Sequence, residues 1–93
     1  MAKILVVDDS PTEMAKFRDI LTRHQHVVIE AHTGEEGIQS AINHQPDIIL
    51  MDVVMPEING FQATRQITRN PATCHIPVVI ISTKGQETDR VWG

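Results

Sequence analysis

Three short runs of branched apolar residues, each closed by acids or hydroxyls, constrain this chain more than any other feature. Lys3-Ile4-Leu5-Val6-Val7 ends in Asp8-Asp9, Ile48-Ile49-Leu50-Met51 ends in Asp52, and Val78-Val79-Ile80-Ile81 ends in Ser82-Thr83. Unbroken apolar runs of this length, with no alternation, suit strands covered on both faces, as in parallel sheets. A fourth segment, Val27-Val28-Ile29-Glu30-Ala31, has the same strand composition.

Helical signals fill the spaces between these runs. Ser10-Pro11-Thr12-Glu13 reads as an N-cap, a proline at the first helical position and a capping box, followed by Met14, Phe17, Ile20 and Leu21 at helical spacing. His24 to His26 closes that helix. Thr33 and Glu36 repeat the capping-box pattern ahead of Ile38, Ala41 and Ile42, and Asn43 to Pro46 ends the second helix. Val53 to Gly60 is a loop punctuated by Pro56 and Gly60, after which Phe61, Ala63, Thr64 and Ile67 give a third helix that stops at Asn70 to His75. Lys84 to Gly93 begins a fourth.

Strands alternating with helices predict an α/β fold, a doubly wound parallel sheet with right-handed crossovers and helices on both faces. Ligands in such sheets bind beyond the carboxyl ends of the strands, where strand order reverses. Asp8, Asp9, Asp52, Ser82 and Thr83 all follow strand ends.

At 93 residues the chain has room for one core, since folding at this size buries about 60 to 65% of the unfolded surface. The 41% hydrophobic and 22% charged fractions are those of a globular chain. Twelve acidic against eight basic residues, a net charge of −4, give no electrostatic case for nucleic acid. Met1 to Val7 is too short for a signal peptide and runs into acid, so the expectation is a cytoplasmic protein with no membrane partner. Cys74 has no internal disulfide partner and lies in a polar connector; the five histidines, at 24, 26, 32, 44 and 75, show no ligand-pair spacing. Both read as surface features.

Three carboxylates converging on one place repel each other, which raises a pKa or calls for a cation. Mg²⁺ takes oxygen ligands, keeps several waters and commonly uses one or two carboxylates with phosphate oxygens. A carboxylate can attack phosphorus to give an acyl phosphate, with the metal neutralising charge in flight. Asp52, at the end of the central strand, is the candidate nucleophile, and Ser82 is placed to donate a hydrogen bond to an arriving phosphoryl group. Separately, Asp8-Asp9 could decorate a helix start, Asp52 a turn and Ser82 a cap. Their gathering at the ends of adjacent strands favours one site.

Ile4-Leu5-Val6-Val7-Asp8-Asp9-Ser10, Ile49-Leu50-Met51-Asp52-Val53-Val54-Met55-Pro56 and Asn59-Gly60 together resemble the signature of response-regulator receiver domains, over the whole chain. The resemblance implies the flavodoxin-like receiver topology, with Asp52 as phospho-acceptor, Asp9 as direct Mg²⁺ ligand and Asp8 as an acid acting largely through water. It makes the backbone carbonyl of Val54 the third protein ligand, Ser82 the switch hydroxyl and Thr83 the small position beside it. A histidine kinase would be the phosphodonor and a protein target the output, with no enzymatic turnover. Gly60 to Gln66 and Gln86 to Gly93 resemble, within the family, single-domain chemotaxis-like regulators of twitching motility and type IV pili, the PilH type.

The family's fifth strand, its closing lysine and its last helix find no match here. Lys84 lies just beyond the fourth strand and is not assigned that lysine's role. The expectation is therefore one receiver domain over 1–93, incomplete at its carboxyl end, whose fourth strand invites a homodimer or a strand-swapped oligomer unless the native chain continues. Other readings fit less well. An FMN carrier would need phosphate donors where Asp8-Asp9 stand, and the dinucleotide motif G-x-G-x-x-G is absent. An aspartyl phosphohydrolase would want a general acid at position 54, which is valine. A receiver-like scaffold that binds partners without phosphorylation is the remaining alternative.

Overall fold

The computed structural model describes residues 1–53 and 59–81. In chain order the elements are β1 (Lys3–Val7), α1 (Pro11–Arg23), β2 (Val27–Ala31), α2 (Gly34–His44), β3 (Ile48–Asp52), α3 (Gly60–Arg69) and β4 (Val78–Ile81). The fourth helix expected from Lys84 lies outside the described residues. All neighbouring strands are parallel, in the order β2-β1-β3-β4. The chain steps outward from β1 to β2 and then crosses back to the other side of β1, so strand order reverses between β1 and β3. That is the switch point where open parallel sheets leave a crevice.

Side-chain alternation along the inner strands explains why their sequences are apolar throughout. Leu5 and Val7 of β1 and Ile49 and Met51 of β3 face α2 and α3, where they form one cluster with Ala41, Ala63, Ile67 and Ile76. Ile4 and Val6 face the opposite way and pack with Met14, flanked by Phe17 and Leu21 of α1 and by Ile48 and Leu50. The register pairs Leu5 with Ile49 and Val7 with Met51, which brings the carboxyl ends of β1 and β3 level. The edge strand β2 is less covered, with Val27 45% exposed. On β4, Val79 and Ile80 are also exposed.

The helix caps follow the expected residues, with one revision. Ser10 and Thr33 cap α1 and α2 by accepting from the N–H groups of Glu13 and Glu36. The reciprocal arm of each expected capping box goes elsewhere. The Ser10 N–H donates to Asp8 Oδ1 (2.8 Å), and Glu36 accepts from the His32 N–H, one residue before the cap. The complete box is on α3, where Asn59 accepts from the Gln62 N–H and the Gln62 side chain accepts from the Asn59 N–H. α2 stops at Gln45, which is left-handed at φ 48°. A non-glycine residue there is strained, and the Gln45 side chain offsets this by donating to the carbonyls of Ala41, Ile42 and Ala72.

Among the described residues, no helix is long and apolar enough to cross a membrane. Cys74 is exposed.

Candidate functional site

β1 and β3 deliver their acids to the switch point by the same local device. Each strand is locked by ladders on both sides, and each carries its carboxylate at or just past its end. Asp8 is wholly buried, its N–H donating to the Ala31 carbonyl (3.0 Å) as the β1–β2 ladder runs out. The turn into α1 then bends back, so that the Ser10 N–H holds Asp8 Oδ1 while the Ser10 hydroxyl caps the helix. One serine thus ties a helix start to the orientation of an acid. Asp9, between them, is half-buried.

Asp52 is also wholly buried and is the last residue of β3, in register with Ile81 of β4. The Val53 N–H extends that ladder to the Ile81 carbonyl at 3.2 Å. On the other side, the Gly60 N–H at the start of α3 donates to the Val53 carbonyl at 3.3 Å. The backbone bearing Asp52 is therefore fixed by β4 and by the first turn of α3.

Asp8, Asp9 and Asp52 each present a carboxylate oxygen within 4.8 Å of the others. Among the described residues this is the one group of histidine, cysteine or acidic side chains close enough to hold a metal ion. Among the described residues, none of the five histidines joins such a group. Three carboxylates this close offer an oxygen-rich shell, and a hard dication is its natural complement. The residues present fit Mg²⁺ by donor chemistry and by their convergence. Val54, Ser82 and Thr83 lie outside the described residues.

Sequence reasoning passed over the seat of α3. Gly60 read as loop punctuation, yet it is buried and opens the helix directly against the Asp52 and Val53 backbone. Asn59, three residues before a glutamine, was the available signal for a capping box at that point.

The comparisons with known proteins agree with this geometry. Residues 4–92 match the family model for the response regulator receiver domain. The chain is 56% identical over 93 residues to protein PilH of Pseudomonas aeruginosa, covering all of this chain and 77% of PilH. It is 39% identical over 92 residues to response regulator PleD of Caulobacter vibrioides, covering 99% of this chain but 20% of PleD, so it spans only a part of that longer relative. A solved neighbour is the receiver domain of the sensor histidine kinase PA1611 from P. aeruginosa, with a magnesium ion coordinated in its active-site cleft. It superposes with a TM-score of 0.85 at 27% identity, covering 97% of this chain and 74% of that one. A parallel sheet that gathers three acids at its switch point, with these relatives, places the chain in the response regulator receiver family.

Proposed function

We propose that this protein is a phospho-acceptor of two-component signalling, in which Asp52 takes a phosphoryl group from a histidine kinase while Asp8, Asp9 and Asp52 hold Mg²⁺. The observation that carries the proposal is the burial of Asp52 at the end of β3 with its carboxylate oxygen within 4.8 Å of those of Asp8 and Asp9. A lone surface aspartate has no such company.

In this mechanism an Asp52 carboxylate oxygen forms the new bond to phosphorus as the bond to the donor's leaving group breaks, giving an acyl phosphate on the protein. Bound Mg²⁺ supplies charge neutralisation for the phosphoryl oxygens. Asp8 has its carboxylate aimed by the Ser10 N–H, and Asp9 completes the oxygen set. The ladders on either side of β3 keep the nucleophile from swinging away, which lowers the entropic part of the barrier. The Val54 carbonyl as a further ligand, and Ser82 with Thr83 as the residues that respond to the phosphoryl group, complete the assignment. Phosphorylation adds roughly −1.5 to −2 charge and three acceptor oxygens, enough to draw a hydroxyl inward and shift a pre-existing equilibrium on the β4 side.

Residues 1–93 belong to one receiver domain on this reading, which acts in the cytoplasm by protein contact. Likeness to PilH over the full chain supports a role in chemotaxis-like control of type IV pilus motility.

Intact mass after incubation with Mg²⁺ and acetyl phosphate tests the reading. The expected result is one added phosphoryl group, absent from Asp52→Asn and absent when the metal is chelated. An adduct that survives in Asp52→Asn would move the acceptor elsewhere. No adduct on the folded protein would favour the non-phosphorylated scaffold.

A further inference from the structure

Among the described residues no glycine has a positive φ, so Gly60 is not there to supply a backbone conformation closed to other residues. What it supplies is space. A Cβ built at Gly60 would lie 2.1 Å from the Asp52 carbonyl oxygen, 2.7 Å from the Val53 Cα and 2.8 Å from the Asp52 carbonyl carbon. All three obstacles are backbone atoms of the residue that carries the proposed nucleophile and of its neighbour. Gly37 of α2 makes a useful contrast. A Cβ there would meet Val7 Cγ2 at 2.8 Å and Cγ1 at 3.1 Å, which are methyl ends of a side chain.

We propose that Gly60 is a positioning residue: the seat of its bare Cα on the Asp52–Val53 backbone sets where the Asp52 carboxylate stands relative to Asp8 and Asp9. The proposal rests on reading those three acids as a Mg²⁺ site. α3 cannot simply slide away from the contact. Ala63 and Ile67 bury it in the core, and its first turn is stapled by the Asn59–Gln62 capping box and by the Gly60 N–H on the Val53 carbonyl. β3 is held in turn by β1 and β4. A methyl at position 60 must therefore part the helix start and the strand end by about 1 Å or more to restore ordinary contact. Misplacement of a reacting group by about 1 Å can cost on the order of a hundredfold in rate, and loss of support behind a metal ligand costs about 10- to 100-fold in affinity.

The test compares Gly60→Ala with Gly37→Ala by Mg²⁺ titration calorimetry and by the ¹H–¹⁵N resonances of the Asp52 and Val53 amides without metal. The expected result is at least about a tenfold loss of Mg²⁺ affinity in Gly60→Ala, with both amides displaced before metal is added, and in Gly37→Ala, whose methyl presses on the Val7 side chain alone, a smaller loss with both amides in place. A folded Gly60→Ala with wild-type affinity and unmoved amides overturns the proposal. So do equal losses in the two variants. If Gly60→Ala does not fold, Asn59→Gly and Thr33→Gly decide, since a glycine cap costs a helix only a few tenths of a kcal/mol. A several-fold loss of affinity confined to Asn59→Gly supports the proposal, and equal behaviour of the two overturns it. Failure of the wild-type protein to bind Mg²⁺ would sink the reading of the site itself, which is a different result from wild-type binding that Gly60→Ala leaves untouched.

Discussion

The two ends of the sheet bring different groups together. At the amino end, polar groups are matched in complementary pairs. Asp47 accepts from the Lys3 N–H (2.7 Å) and returns its own N–H to the Lys3 carbonyl (2.7 Å), while the Lys3 ammonium donates to the His44 carbonyl (2.7 Å). The Ala2 N–H donates to His26 Nδ1 and the Ala2 carbonyl accepts from Val27. At the carboxyl end, three carboxylates of one sign are brought within 4.8 Å, two of them wholly buried. Complementary pairs at strand starts tie the fold's edges together. Acids gathered this closely at the strand ends are what the proposed Mg²⁺ site requires.

The largest expected effect breaks the carboxyl end and leaves the amino end intact. Asp9→Asn removes one charge and weakens one ligand, and Mg²⁺ affinity should fall at least about tenfold. At a concentration 100 times the wild-type Kd, Mg²⁺ stabilises a protein by about 2.7 kcal/mol, and a tenfold weaker site leaves about 1.4. For a domain of this size the difference is roughly 5 to 10 °C in the midpoint of a thermal melt with Mg²⁺. Without metal the two proteins should melt much closer together. A Mg²⁺-induced rise in Asp9→Asn equal to that of the wild type would remove Asp9 from the ligand set.

Which parts of this were legible in the sequence follows from the range of the interactions involved. The strand ends were legible because an apolar run closed by an acid needs no partner to be recognised, so Asp8, Asp9 and Asp52 could be placed before any fold was known. The helix starts were half legible. Ser10 and Thr33 cap as their local patterns dictate, but the Ser10 N–H is taken by Asp8, which only the turn geometry reveals. The seat of Gly60 on the Asp52 carbonyl was not legible, because it joins the end of β3 to the start of α3 across a loop whose path the sequence does not specify. Gln45 was missed for a related reason. Its left-handed backbone is tolerated through a side-chain bond to Ala72, 27 residues away.

A smaller effect sharpens the comparison from the amino end. Asp47→Ala removes the acceptor for the Lys3 N–H, and because that group is exposed, water replaces part of what is lost. The expected cost is about 0.5 to 1 kcal/mol in a urea melt, at the low end for a hydrogen-bonded carboxylate. Mg²⁺ affinity should be unchanged, since Asp47 and the acid trio stand at opposite ends of the strands. A Mg²⁺ response in Asp47→Ala reduced as far as in Asp9→Asn would show that the two ends are coupled and would erase the distinction between them.

The smallest effect concerns a pair belonging to neither end. Arg18 of α1 grips Glu30 of β2 through two of its nitrogens, Nε on one carboxylate oxygen and Nη2 on the other at 3.1 Å. Those hydrogen bonds hold the Glu30 carboxyl below its usual range, against the opposing push of burial, with the Arg18 and His32 charges adding to the depression. A depressed carboxylate contributes stability that is fully present above its unfolded value of about 4.3 and is lost as pH falls through the lower folded value. Wild type should therefore exceed Glu30→Gln slightly at pH 7, and the gap should close in acid. Arg18 is more than half exposed, so the gap should also shrink in high salt. Denaturant midpoints at neutral and acid pH, each at low and high salt, check both signs. A gap that widened in acid would mean that Glu30 is held by its burial rather than by Arg18. The Arg18–Glu30 hydrogen bonds would then contribute less to Glu30 than its removal from water costs.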